Sequence, residues 1–114
     1  MPDTVLSIAV MEPFEGCEEE FVAVLSDLYR LLERKGYSRD RLLRNRKDPP
    51  HYFNIRHWTS FETRQEAHED PEVHRYWAKL GHLCKMVRVH EILDEVDWKA
   101  VEPLKDLATT WGDQ

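Results

Sequence analysis

The sequence has few of the residues that phosphate-binding, metal-binding or disulfide-rich small proteins depend on. Its 114 residues include only four glycines and two cysteines, Cys17 and Cys84. No glycine-rich phosphate loop can be recognised, and the two cysteines do not have the close spacing of a zinc site. Two thiols near the ends of predicted helices fit a protein whose cysteines stay reduced, so we expect a cytoplasmic location.

The chain also lacks a long apolar run, a signal-peptide pattern and an excess of positive charge. Asp and Glu total 22 against 16 Lys and Arg, which gives a formal net charge of −6. Nucleic acids and anionic membranes attract concentrated positive charge, so neither is expected as a partner. The one basic segment, Arg39–Lys47, contains a leucine pair and is typical of an edge strand guarded by charge.

What the sequence does have is the alternation of strands and helices of one α+β domain. Apolar residues spaced three and four apart predict a helix over Glu18–Lys35. Thr59 or Ser60 is the expected N-cap of a second helix, which runs to about His68 and restarts at Pro71. Strands are predicted at residues 4–11, 41–44, 52–58 and 86–96.

This order predicts a ferredoxin-like βαββαβ fold, an α+β class with a four-stranded antiparallel sheet and its helices on one face. The uncovered apolar face needs a partner, and a second copy of the chain can supply it. We therefore expect a homodimer, a dimeric α+β barrel, with residues 1–96 as the domain. Residues 97–114 form a tail, predicted as a short helix that packs Trp98, Val101, Leu104 and Leu107 on the same subunit or on the partner.

The third predicted strand, within "HYFNIRHWTS", is unusually polar. Alternate residues of a strand share a face, so Asn54, Arg56 and Trp58 lie on one side and His57 on the other. An amide and an indole N–H can both donate to a phenolate or peroxide oxygen. Histidine is the natural base near neutral pH, and His68 and His57 are the candidates. His57 is also predicted to neighbour His90 across the sheet.

The segment "FNIRHWTSFETRQEAHEDPEVHRYWAKL" resembles the core signature of the antibiotic biosynthesis monooxygenase family. The similarity rests on Trp58, Ser60, the Ala67-His68 pair, Pro71 and Tyr76, with spacing close to that of the quinol-monooxygenase branch. It implies a dimeric barrel that oxygenates a small phenolic or quinol-like aromatic with O₂ and without a cofactor. Asn54 and Trp58 match the four-residue spacing of two residues used by the family's aromatic polyketide oxygenases. Arg56, Tyr76 and Trp77 are then expected to bind the substrate.

The sequence also departs from parts of the family. The Tyr and Arg that the aromatic polyketide oxygenases use have no counterparts at matching offsets. Where the haem-degrading branch has an Asn on the first strand and a Trp in the second helical region, this chain has Ile8 and Ala67. His74 stands at a different offset from that branch's axial His, so haem degradation is not expected. His68 and His74 lie six apart across a proline break, and no metal is expected.

Each of these residues also has a structural interpretation. Trp58 is equally a core aromatic, Asn54 a partner of loop backbone, and His68 a cap for helix carbonyls. Arg56 either orients an anionic substrate or pairs with a helix acid. The alternative function is a non-catalytic dimer of the same fold that binds a small ligand or acts as an accessory protein.

Overall fold

The computed structural model describes residues 5–104, which form four strands, three α-helices and one 3₁₀ turn. The elements are β1 (Val5–Pro13), α1 (Glu18–Arg34), β2 (Ser38–Arg44), β3 (Tyr52–Trp58), α2 (Phe61–Glu69), α3 (Pro71–Gly81), β4 (Cys84–Leu93) and the 3₁₀ turn Trp98–Ala100. None of the helices in this part of the chain is long and apolar enough to cross a bilayer.

The sheet has the order β2-β3-β1-β4, and each neighbouring pair is antiparallel. This is the predicted ferredoxin-like βαββαβ arrangement, and it confirms the α+β fold class. β2 is an edge strand, as its arginines indicated.

Helix α1 covers the sheet with the predicted apolar stripe. Its buried residues are Phe21, Leu25, Leu28, Leu31 and Leu32. Burial of each such side chain contributes about 1.5–3 kcal/mol, so this stripe anchors the core. The helix ends where Gly36 adopts a φ of 74°, a left-handed conformation that residues with a Cβ disfavour.

Helices α2 and α3 each begin at a side-chain N-cap, and the second of these caps lies at the break between them. Ser60 Oγ accepts from the Thr63 amide at 3.1 Å, and the Ser60 amide donates to Thr63 Oγ1 at 2.9 Å. Asp70 caps α3 by accepting from the Glu72 amide at 2.9 Å, and Pro71 occupies the first turn. Of the two predicted caps for α2, the structure selects Ser60.

Asp70 also links the break to the end of α1. Its Oδ2 accepts from Lys35 Nζ at 2.7 Å and from the Tyr37 hydroxyl at 2.8 Å. These contacts, Lys35 first, lower the pKa of Asp70 from 3.8 to about 2. The carboxylate thus ties three elements together at one end of the helical layer.

Several predicted boundaries are wrong by a few residues. β1 continues to Pro13, which pairs with Cys84, instead of turning at Glu12. β2 begins at Ser38 because its polar first residues pair with β3, which an apolar pattern could not reveal. β4 spans Cys84–Leu93 rather than residues 86–96.

Two further expectations concern the packing of β4 and the tail. His57 and His90 are not cross-strand neighbours, because β1 lies between their strands and pairs Leu6 with His57 and Ile8 with His90. The part of the tail that the structure describes, residues 97–104, does not pack on its own subunit, since Trp98, Val101 and Leu104 are 71%, 68% and 67% exposed. Leu107 lies outside the described residues.

Candidate active site

A cavity of about 250 Å³ lies on the helix-facing side of the sheet, next to α2 and α3. Five of the predicted site residues of β3, α2 and α3 are on its wall or floor: Asn54, Arg56, Trp58, His68 and Trp77. The lining consists of Ser7, Ile8, Ala9, Asn54, Arg56, Trp58, Arg64, His68, Trp77, Met86, Val89 and Glu91. The polar face of β3 therefore borders an open space as well as the core.

The floor of the cavity contains a closed polar network on β2 and β3. Arg56 Nε donates to Asp40 Oδ2 at 2.6 Å, and Arg56 Nη2 donates to Asn54 Oδ1 at 3.2 Å. Asn54 Nδ2 donates to Asp40 Oδ2 at 3.0 Å and lies 3.5 Å from the Arg41 carbonyl. The Asp40 side chain is fully buried (0% exposed), so its charge is matched inside the protein.

The register of the β2–β3 pair explains this network. Asp40 lies directly opposite Arg56, and Leu42 opposite Asn54, so all four side chains share the helix-facing side. Ser38 Oγ donates to Asp40 Oδ1 at 3.0 Å and satisfies the other carboxylate oxygen. Arg56 thus pairs with a strand acid and not with the helix acid that was one of the expectations.

Trp58 is held by a second chain of hydrogen bonds. Its indole Nε1 donates to Ser7 Oγ at 2.8 Å, and Ser7 Oγ donates to the Glu91 carbonyl at 2.6 Å. The guanidinium of Arg56 lies 5.3 Å from the centre of the Trp58 ring, at cation–π distance. Trp58 is only 3% exposed, so it belongs to the core and borders the cavity at the same time.

His68 faces the cavity from α2 in a defined tautomer. Its Nδ1 lies 2.7 Å from the Arg64 carbonyl, which can only accept, so the hydrogen of the neutral ring is on Nδ1. The lone pair is then on Nε2. The ring centre is 5.8 Å from that of Trp58 and 5.2 Å from that of Trp77.

Trp77 stands between two imidazoles. His74, one turn earlier on α3, is also 5.2 Å from Trp77 between ring centres, and its Nε2 is bonded to the His68 carbonyl. These contacts fix the wall that α2 and α3 contribute.

The structure separates the remaining predicted residues from this cavity. His57 lies on the other face of the sheet, in an open groove with Arg39 and Arg41. Tyr76 packs partly buried against the core under Lys79, whose Nζ is 5.6 Å from the ring centre, and it does not line the cavity.

Sequence reasoning did not single out Asp40, Ser7 or Arg64 for the site. The signal for Asp40 was its position opposite Arg56 in the hairpin, which needs the register. Ser7 stood out as the one hydroxyl inside the apolar first strand, and Arg64 was hidden among the polar residues of α2. Among residues 5–104, no cluster of three or more His, Cys, Asp or Glu side chains could hold a metal ion.

Comparison with curated proteins gives no match. Three solved structures resemble the fold. The cofactor-independent oxygenase SnoaB of Streptomyces nogalater is 23% identical and superposes with a TM-score of 0.68, over 83% of this chain and 98% of SnoaB. A Chloroflexus aurantiacus protein assigned to the antibiotic biosynthesis monooxygenases is 19% identical with a TM-score of 0.68, over 82% and 94% of the two chains. Rv0793 of Mycobacterium tuberculosis is 19% identical with a TM-score of 0.65, over 82% and 99%.

Identities this low establish a shared fold and leave the reaction open. The sequence profile of the antibiotic biosynthesis monooxygenase family, however, matches residues 4–80, well over half of the chain and every element from β1 to α3. The match includes all the cavity residues except those of β4. The chain belongs to the antibiotic biosynthesis monooxygenase family.

Proposed function

We propose that the protein is a cofactor-independent monooxygenase that inserts one atom of O₂ into a small phenolic or quinol-like aromatic. The observation that carries the proposal is a cavity in which Asn54, Trp58 and His68 meet between the sheet and the helices. The family membership supports the reaction class, and SnoaB is described as a cofactor-independent oxygenase. The cavity volume of about 250 Å³ is near the lower end of ligand pockets, which favours one or two aromatic rings.

His68 is the proposed base. With its hydrogen on Nδ1 directed at the Arg64 carbonyl, the Nε2 lone pair is available to take a phenolic proton. The Arg64 carbonyl also stabilises the imidazolium that forms, because the Nδ1–H bond strengthens when the ring becomes charged.

The proposed reaction needs no redox group other than the substrate. The aromatic anion passes one electron to O₂, and the resulting radical and superoxide combine in a C–O bond. Protonation gives a hydroperoxide, and loss of water leaves a new C=O group. A dihydroxynaphthalene plus O₂ gives a hydroxynaphthoquinone plus H₂O, which balances atoms and electrons.

Asn54 and Trp58 are proposed to orient and stabilise the anion. Both already donate within the protein, Trp58 to Ser7 and Asn54 to Asp40, so an anion that reaches them competes with those acceptors. This same observation favours a second candidate function: a non-catalytic barrel whose preformed cavity binds a small aromatic ligand.

The two functions are separated by ¹⁸O₂ incorporation under aerobic incubation with dihydroxynaphthalenes. Monooxygenation predicts one ¹⁸O atom in the product and no net H₂O₂, whereas autoxidation predicts H₂O₂ and an unlabelled quinone. Replacement of His68 by Gln is expected to lower the rate about 10²- to 10⁴-fold. Asn54→Ala and Trp58→Phe should also slow the reaction, and His82→Gln, at an exposed helix end, serves as the matched control.

Absence of enzyme-dependent ¹⁸O incorporation across the panel would refute the catalytic proposal. Equal rates for the wild type and His68→Gln would refute His68 as the base. Binding of the aromatic without turnover would support the second candidate.

We also propose that the protein is a homodimer. The face of the sheet opposite the helices carries Leu6, Ile8, Val10, Phe53 and Ile55, all partly exposed. A contiguous apolar face of this kind is suited to burial against a second copy. Sedimentation equilibrium at micromolar concentration should give about twice the chain mass of 13.6 kDa, and a mass near one chain would contradict this packing.

A further inference from the structure

The cavity is lined by two arginines that differ in how their hydrogen-bonding groups are used. Arg56 donates from Nε to Asp40 at 2.6 Å and from Nη2 to Asn54 at 3.2 Å. Its charge faces the fully buried carboxylate of Asp40. Arg56 is therefore part of the floor and is compensated within the protein.

Arg64, on α2, is not compensated in this way. Its side chain is only 17% exposed, and its Nε is buried without a hydrogen-bond partner among the described residues. Its Nη2 lies 3.6 Å from Glu91 Oε2, which is beyond a normal hydrogen bond, and the Glu91 side chain is 70% exposed. A charged group buried without a close acceptor is costly. Because Arg64 lines the cavity, an acceptor on a ligand there would approach the guanidinium and offset part of that cost.

The groups around Arg64 indicate which acceptor fits. The edge of a guanidinium binds a planar carboxylate through two parallel N–H···O bonds. The walls next to Arg64 are aromatic and apolar, formed by Trp58, Trp77 and Met86. A flat aromatic ring with a carboxylate substituent would match both features, whereas the hydroxyls of a neutral quinol offer Arg64 neither a negative charge nor two paired acceptor oxygens.

We propose that Arg64 binds a carboxylate carried by the aromatic ligand, so that the cavity selects hydroxyaryl carboxylates over neutral quinols. This inference rests on the proposed function in that it concerns the same cavity. It places the carboxylate at Arg64 and the ring hydroxyl toward His68, one helical turn further along α2.

Anaerobic calorimetric titration tests the inference without turnover. The probes are 1,4-dihydroxy-2-naphthoate and 1,4-dihydroxynaphthalene, which differ only in the carboxylate. The carboxylate should bind about ten- to a hundredfold more tightly, and Arg64→Gln should abolish this preference while leaving the affinity for the diol within about threefold. Arg75→Gln, at an exposed position on α3, is the matched control and should keep the preference.

Glu91→Gln provides a second variant, at an exposed position where the fold tolerates change. Removal of this carboxylate removes the competitor for Arg64, so the affinity for 1,4-dihydroxy-2-naphthoate should rise several-fold and that for the diol should not. An equal affinity for the two probes, a preference that survives Arg64→Gln, or failure of the carboxylate to bind at millimolar concentration would overturn the inference.

Oxygen consumption, measured separately, distinguishes this inference from the proposed function. If the carboxylate binds through Arg64 but neither probe is oxygenated, the monooxygenase proposal fails and the specificity stands. If the diol is oxygenated and the carboxylate has no advantage in binding, the specificity fails and the monooxygenase proposal stands.

Discussion

The buried ion pair between Asp40 and Arg56 should be the most sensitive polar contact in the protein. Asp40→Asn keeps the shape of the side chain but removes the charge that faces Arg56 across 2.6 Å. Loss of one member of a buried pair costs about 3–5 kcal/mol, because the other charge is left without a partner. The Arg56 side chain is 11% exposed and can recover some hydration, so we expect the lower end of this range.

Removal of both charges should cost much less than the two single losses added together. Arg56→Gln leaves the Asp40 carboxylate, which is 0% exposed, without a charged partner. It should lower the free energy of unfolding at least as much as Asp40→Asn does. The double variant contains no buried charge without a partner. We therefore expect a coupling of about 2–3 kcal/mol between the two positions.

Urea unfolding followed by circular dichroism gives the four free energies of unfolding that this cycle needs. Asp27→Asn is the matched control, since Asp27 and Arg30 form a pair whose side chains are 61% and 76% exposed. Its effect should stay within about 0.5 kcal/mol. Single losses at Asp40 and Arg56 below about 1 kcal/mol, adding without coupling, would refute the assignment of a buried, mutually dependent pair.

Three further predictions concern the caps and the Trp58 contact. Asp70→Ala should lower the free energy of unfolding by about 0.5–2 kcal/mol. Because Lys35 lowers the pKa of Asp70 from 3.8 to about 2, the carboxylate's contribution is complete above pH 3.8 and is lost towards pH 2. The difference in unfolding free energy between wild type and variant should therefore be constant from pH 7 to 5 and shrink below pH 4. A difference that stays constant down to pH 2 would contradict this linkage. Gly36→Ala should destabilise the protein by about 1 kcal/mol, since Gly36 has a φ of 74°. Gly81→Ala, at the end of α3 with open space around it, should not destabilise it. Equal shifts in melting temperature for the two variants would refute the conformational argument. Ser7→Ala leaves the buried Trp58 N–H without its acceptor and should lower the free energy of unfolding in urea by about 1–3 kcal/mol. An unchanged free energy of unfolding would contradict a stabilising role for this bond.

The local patterns were sufficient for most of the fold. The apolar stripe of α1, the glycine after it and the cap and proline around the helix break depend on neighbours within one or two turns. Because the conformation of such segments is set largely by neighbours in the sequence, the sequence alone predicts it. The alternation of β3 likewise placed Asn54 and Trp58 on one face, and the structure puts that face under the helices.

The missed features all depend on contacts between distant strands. Asp40 meets Arg56 only in one register of β2 against β3, and Ser7 meets Trp58 only once β1 is placed beside β3. The sequence predicts His57 and His90 as cross-strand neighbours, but the alternation of residues along two strands cannot show that β1 lies between them. Arg64 resembled any exposed helix residue, because its burial comes from the sheet beneath it.

The two arginines divide the cavity into parts with different freedom to change. The side chains of the cavity floor, Asp40, Asn54 and Arg56, hydrogen-bond to one another, so a substitution there disturbs several hydrogen bonds at once. The rim of Arg64, Met86, Val89 and Glu91 makes few such bonds, and three of its four residues lie on an edge strand. A library of variants substituted only at the rim would alter which ligands enter and leave the hydrogen-bonded floor unchanged. The rim is therefore the natural place to redirect the protein to new substrates.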